Sequence, residues 1–242
     1  SVVRNRITMS IAIVGWWILN LYWIDSDSLI RDGDEEGHVG AMELFKEYGF
    51  ENWITEVWSG HYGEYPPLFA GMMGWYWGFI SNWIGVTPPD SLWIRGVLPL
   101  TVFVTAMACA RIAWRQGWNW RLTGWWVLCL PLLNGVGRHF MLESMMTMWV
   151  CVTIMFCSEV LAKGGWFKWL GIGIFAGCSL LTKQTSILTL APVLIFCVLQ
   201  SRVQWKWWLL AVLGSLIVAG PWYFEQVSQQ LSYLSTSAQG KL

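Results

Sequence analysis

The sequence predicts an all-α, polytopic integral membrane protein. It has about seven transmembrane helices and a long first external loop carrying amphipathic juxtamembrane helices. Three observations lead there. Apolar residues make up 55% of the chain and charged residues 12%, about half the charge a soluble domain carries. Twelve of the 15 carboxylates lie between Asp25 and Asp90, directly after the apolar run Ile7–Ile24. The basic residues outside that stretch recur in tight clusters: Arg4/Arg6, Arg111/Arg115/Arg121, Lys163/Lys168 and Arg202/Lys206. Enough apolar chain for an exit and a return separates each cluster from the next, so placing all four in the cytoplasm satisfies the positive-inside rule.

Each element follows in order from those marks. Ile7–Ile24 is long enough to span a bilayer and ends Leu21-Tyr22-Trp23-Ile24, without a small-x-small cleavage site. It therefore reads as a retained outward crossing and not as a signal peptide. An external loop follows over 25–94. Within it, residues 31–48 read as an amphipathic helix with Val39, Met42, Phe45 and Leu44 on its apolar face, Asp34 near its N-terminus and Gly49 closing it. Leu68–Ile84 is apolar, yet as a full crossing it would put every later basic cluster outside. It is expected to be an interfacial or re-entrant helix. The remaining crossings are about 94–114 inward, 121–136 outward, 143–162 inward, 168–182 outward, 186–200 inward and 207–223 outward. Residues 1–223 form one membrane module, and the polar tail 224–242 reads as the start of an external loop. Many of the 21 Trp stand near the ends of apolar runs, where indoles sit at headgroup level. The six cysteines lie inside apolar runs with no CxxC, so they are expected to be packing residues.

Zero net charge with no basic face excludes a nucleic-acid binder. The charges needing a reason are Asp34/Glu35, Glu64 ahead of Pro66-Pro67, Arg138 with Glu143, and Lys183. The orientation was set by cytoplasmic charges alone, yet it sends all four groups to the external ends of helices. Carboxylates beside Arg and Lys can hold an anion while a base removes a proton. Plainer readings stand beside this one: a solvated helix N-terminus for Asp34/Glu35, a structural ion pair for Arg138–Glu143, and a snorkelling side chain for Lys183. His38 and His61, near Asp34 and Glu64, suit a metal site or a surface role. His139 is uncommitted.

The same residues carry a family resemblance. Asp34-Glu35 follows the first helix. Then come Glu64-Tyr65-Pro66-Pro67-Leu68, Ile94-Arg95 through Pro99, Gly137-Arg138 through Glu143, Gly177 through Leu181-Thr182-Lys183, and Gly220-Pro221-Trp222-Tyr223. In order and spacing the chain resembles the N-terminal module of GT-C membrane glycosyltransferases, the group containing protein O-mannosyltransferases and lipid A aminoarabinose transferases. The resemblance spans roughly residues 7–223. It implies sugar transfer from a polyprenyl-phosphate donor to a protein, lipid or glycan acceptor at the external face of a bacterial inner membrane or its equivalent, with the N-terminus cytoplasmic. It implies Asp34, with Glu35, as general base, Arg138, Lys183 and Arg95 as ligands of the donor phosphate, and Glu143 as a second acidic group. Glu143 stands where the family usually has Asp, and Tyr65 where some members have Lys, which puts both roles in question. Asp34-Glu35 with His38 would tolerate a divalent cation such as Mg2+ or Mn2+, which the Arg and Lys could also replace; no cofactor is fixed. The competing readings are a non-catalytic GT-C-like subunit and a transporter or flippase, the latter expected to show mid-membrane charge, broken helices and an internal repeat.

Overall fold

The computed structural model describes residues 2–26, 37–47, 66–85, 95–137, 139–201 and 205–238, and these are helical with short connections and no strand. Ten helices follow one another among the described residues: α1 Val2–Ser26, α2 over 37–47, α3 Leu68–Ile84, α4 Pro99–Arg115, α5 Trp120–Cys129, α6 Pro131–Val136, α7 Leu142–Lys163, α8 Trp166–Thr182, α9 Ser186–Gln200 and α10 Trp205–Ala238. Local chemistry sets several of their ends. Pro99 and Pro131 open α4 and α6, where the missing N–H costs no helical bond. Asn119 caps α5, its side-chain oxygen accepting from Leu122 N at 3.2 Å. The α7–α8 turn is Gly164-Gly165, with φ 64° and 112°, a region that side chains with a Cβ enter at a cost.

The relative directions of neighbouring helices can be read from their contacts. Contacts of α7 with α8 pair Trp149 with Phe175 and Glu159 with Lys168, so these two are antiparallel. Gly173 lies against Ala211, Gly177 against Ser215 and Val218, and Tyr223 donates to Leu180 O at 3.1 Å. α8 and α10 are therefore parallel, one crossing apart in sequence. α4 and α7 are also parallel: Leu98 packs with Leu142 at one end, and Arg111 and Arg115 meet Glu159 at the other. α8 is the hub, packed on α10, α7, α9 and α3.

Large apolar side chains face outward along these helices. Leu188 is 76% exposed, Leu199 69% and Phe224 75%, a surface suited to lipid and not to water. Two segments, Leu142–Lys163 and Lys206–Val227, are by themselves long and apolar enough to cross a membrane, while α8 and α9 are shorter apolar helices. The hydroxyls of Thr105, Thr153 and Thr182 bond the carbonyl four residues back, which satisfies them without water.

Three features depart in detail from the sequence expectations. α2 buries Val39, Met42 and Phe45, as its spacing predicts, but Leu44 is 50% exposed and belongs to the outer face. The crossing expected over 121–136 is broken at Leu130, whose backbone is extended ahead of Pro131, as a residue before proline prefers. Asn134 repairs the break. Its amide donates to Leu128 O at 2.6 Å and Leu130 O at 2.9 Å, and Trp16 Nε1 of α1 adds a bond to Leu128 O at 3.0 Å. α10 continues as helix through the polar tail to Ala238, 15 residues past the end expected for the crossing. The expected interfacial segment Leu68–Ile84 is one helix of 17 residues. It buries Phe69, Met73 and Trp77 and leaves Trp75, Phe79 and Trp83 exposed in a stacked row.

The α8–α10 seam makes a sharp prediction. A Cβ on Gly173 would lie 2.0 Å from Ala211 O, whereas one on Gly15 of α1 meets nothing within 4 Å. Gly173→Ala is expected to force the helices apart and destabilise the protein by about 1–3 kcal/mol or more. Gly15→Ala is expected to be neutral or slightly stabilising. Thermal unfolding in detergent, with the monodisperse fraction recovered, checks both.

Candidate active site at the Glu143–Lys183 end

One apolar core assembles this end of the bundle. It joins Val39 and Met42 of α2, Phe69, Met73 and Trp77 of α3, Leu98 ahead of α4, and Phe140, Leu142 and Met145 around the start of α7. Burying these side chains brings polar neighbours to the same end. His38 meets Phe69 edge-on at 5.9 Å, and Phe69 packs on Phe140 at 4.9 Å. Arg95 is 3% exposed, in the turn whose carbonyl accepts from Leu98 N at 2.9 Å.

Two of the residues singled out from the sequence touch each other. Glu143 stands in the first turn of α7, where the helix dipole favours a carboxylate. Lys183 leaves α8 with an extended backbone (φ −155°, ψ 121°), and its Nζ donates to Glu143 Oε1. The side chains are 34% and 28% exposed, so both groups are part-desolvated without being sealed. Glu143 Oε2 points inward, and no described residue donates to it. Trp149 Nε1, Ser179 Oγ, Ser186 Oγ and Trp222 Nε1 are also buried without a hydrogen-bond partner among the described residues. Trp149 and Trp222 share one cluster with Leu68 and Leu181. Ser179 and Ser186 flank Lys183 on either side of the α8–α9 turn. Hydroxyls, indole N–H groups, a carboxylate and an ammonium are the groups that bind an anion and the hydroxyls of a polar ligand.

Asp34, Glu35, His61, Glu64, Tyr65 and Arg138 lie outside the described residues. Among the described residues no three of His, Cys, Asp and Glu come together as metal ligands. His38 is placed against aromatic rings, and Asp34-Glu35, the pair considered for a cation, is not described.

The family model for dolichyl-phosphate-mannose-protein mannosyltransferases matches residues 100–224, just over half the chain. The chain belongs to this family. Neither a curated protein nor a solved structure matches it. Membership makes it a mannosyltransferase-like membrane glycosyltransferase of the GT-C type. The matched stretch of this mannosyltransferase relative contains Glu143, Lys183 and Arg138, and it begins after Arg95, Glu64 and Asp34.

Sequence reasoning overlooked the second carboxylate of α7. Glu159 sits at the other end of that helix and draws Arg111, Arg115 and Lys168 around it. An acidic residue inside an apolar run was the available signal. Its partners lie up to 48 residues away, beyond the reach of helical spacing.

The pair at the candidate site is expected to couple energetically. Lys183→Met and Glu143→Gln should each destabilise the protein, and the double variant should lose less than the sum, by about 1 kcal/mol after allowance for partial exposure. A double-mutant cycle by thermal unfolding measures this, and strict additivity would show that the contact carries no coupling.

Proposed function

We propose that the chain transfers a sugar from a polyprenyl-phosphate-linked donor to an acceptor at the external membrane face, with Asp34 as general base. The observation that carries this reading is an apolar cavity lined by Leu180 and Ile187, the residues on either side of the α8–α9 turn that holds Lys183. A cavity of about 430 Å3 lies between α8, α9 and α10. It extends from Leu180 and Ile187, which bracket Lys183 in sequence, to Trp169 and Leu199 near the opposite end of the bundle. A cation on the turn between two lining residues of an oily slot would suit a lipid phosphate, the chain filling the slot and the phosphate reaching the ammonium.

The chemistry then asks for little else. In the transfer, the acceptor oxygen attacks the anomeric carbon, the bond to the phosphate oxygen breaks, and the polyprenyl phosphate departs with the electron pair. Lys183, with Arg138 and Arg95, stabilises that growing charge. Asp34 takes the acceptor's proton, with Glu35 beside it. Glu143 holds Lys183 and orients the acceptor through its inward oxygen. Covalent tethers support the grouping: Asp34 is four residues from His38 and Arg138 is next to His139, spans of at most about 14 Å and 3.8 Å. The charge-derived topology, with seven crossings and the N-terminus cytoplasmic, puts this end outside. Glu64 and Tyr65 precede α3 in sequence and would suit acceptor contacts.

A transporter reading draws on the helix break at Leu130, since broken helices often line transport sites. Here Asn134 and Trp16 take the Leu128 and Leu130 carbonyls, which argues against their use as ion ligands. A non-catalytic subunit would keep the fold and lose transfer.

The test is label transfer from a polyprenyl-phosphate sugar to endogenous acceptors in membranes carrying the complete gene product. Asp34→Asn is expected to abolish transfer at unchanged expression, and Arg138→Ala to weaken donor binding as well as turnover. Full activity in both variants would falsify the site. Ala191→Phe, which fills the cavity wall, is expected to raise KM about tenfold for a long-chain donor and little for a short-chain analogue.

A further inference from the structure

We propose that the Arg111–Arg115–Lys168 cluster around Glu159 is a binding site for the headgroup of an anionic phospholipid, separate from the donor site. The two sites lie on the same helix: Glu143 and Glu159 are 16 residues apart on α7, about 24 Å by helical rise. The proposal rests on the membrane residence of the chain and not on its catalytic role.

The charge balance is the first observation. Glu159 is 12% exposed at its side chain. Arg111 Nε donates to Oε1 at 2.8 Å, Arg115 Nε to the same oxygen at 2.8 Å, and Arg115 Nη2 to Oε2 at 2.5 Å. Lys168 Nζ lies 3.8 Å from Oε2 and donates to the Glu159 carbonyl at 3.1 Å. Arg115 alone satisfies the carboxylate with a two-pronged contact. Arg111 and Lys168 therefore leave a surplus of two positive charges, and Lys168 is only 24% exposed. Cations held together and partly out of water repel one another unless an anion joins them.

The second observation is the set of donors left over. Arg111 uses only its Nε and is 42% exposed. Its two terminal nitrogens, and Nη1 of Arg115, make no hydrogen bond among the described residues. They form a fork suited to phosphate oxygens.

The third observation selects a lipid over a free anion. Arg111 stacks over the Trp114 ring at 4.3 Å and Arg115 at 5.1 Å, and Trp114 is itself half exposed. Leu161 and Phe167, on α7 and α8 beside the cluster in sequence, are 42% and 64% exposed. Aromatic and apolar surface next to a phosphate-binding fork is the arrangement that receives a headgroup and the start of its acyl chains. Binding there would tie the ends of α4, α7 and α8 together.

The test uses the whole protein, purified in neutral detergent and titrated with phosphatidylglycerol, phosphatidylcholine or inorganic phosphate. Retained lipid is counted by native mass spectrometry, and the thermal midpoint is followed in parallel. Phosphatidylglycerol is expected to be retained and to raise the midpoint, while phosphatidylcholine and inorganic phosphate do neither. The double variant Arg111→Gln/Lys168→Gln keeps the Arg115–Glu159 contact and is expected to bind phosphatidylglycerol about thirtyfold more weakly. Equal retention of the two lipids by the wild type overturns the proposal even if the variant fails to fold. So does undiminished binding by a folded variant, and an equal response to inorganic phosphate reduces the site to a simple anion site. Sugar transfer is not read in this experiment, so loss of the proposed activity would leave the outcome unchanged.

Discussion

A low-dielectric slab leaves a charge few places to be, and α7 shows the consequence most plainly. The helix has one carboxylate in its first turn and one near its last, and as a whole it is long and apolar enough to cross a bilayer. Each carboxylate gathers cations from neighbouring helices, Lys183 at one end and Arg111, Arg115 and Lys168 at the other. These contacts fix which ends of α4, α7 and α8 lie together. The rest of the bundle follows from that alignment, because apolar helix faces tolerate many registers and buried charges tolerate few.

Close packing then divides the labour between helices. Along the α8–α10 seam, Gly173 and Gly177 let two parallel helices approach until backbone touches backbone, the means by which membrane helices gain dispersion energy without a hydrophobic drive. α9, which lies between them in sequence, packs less closely on α8 and leaves the apolar cavity. A tight seam beside a loose one lets the bundle hold its helices in register and still keep an apolar cavity. On the other flank, α2 lies across α3 at Gly74, where a Cβ would sit 2.7 Å from Met42 O. That contact brings His38 into the aromatic row that reaches Phe140.

What the sequence made legible was whatever depended on one helix at a time. The spacing of Val39, Met42 and Phe45 specified a buried face, because that is a local pattern imposed by helical period. Leu44 was misassigned because it lies at the edge of that face, where a small rotation decides exposure. The tail was read as a loop from its polar composition, yet nothing between Pro221 and Gly240 breaks a helix, and α10 continues to Ala238. Pro131 was a visible warning of the break at Leu130. Its repair by Asn134 and Trp16 was not visible, since Trp16 lies 112 residues from Leu128. The Glu143–Lys183 contact was only half legible: both residues were named, but their pairing needed the antiparallel packing of α7 and α8.

The two ends of α7 differ in a way that bears on which one does chemistry. Around Glu159 both carboxylate oxygens are engaged and cations are in excess. A carboxylate so neutralised is poorly suited to orient a second group. At Glu143 one oxygen holds Lys183 and the other has no donor among the described residues, with indole and hydroxyl groups nearby in the same condition. Buried polar atoms without partners are costly to keep, by about 1–3 kcal/mol each. Gathering several at one end of a bundle makes sense where a polar ligand completes them. The saturated end suits holding, and the unsaturated end is the one with groups left to receive a polar ligand. The two ends thus divide between them the holding of helices in register and the presentation of polar groups without partners.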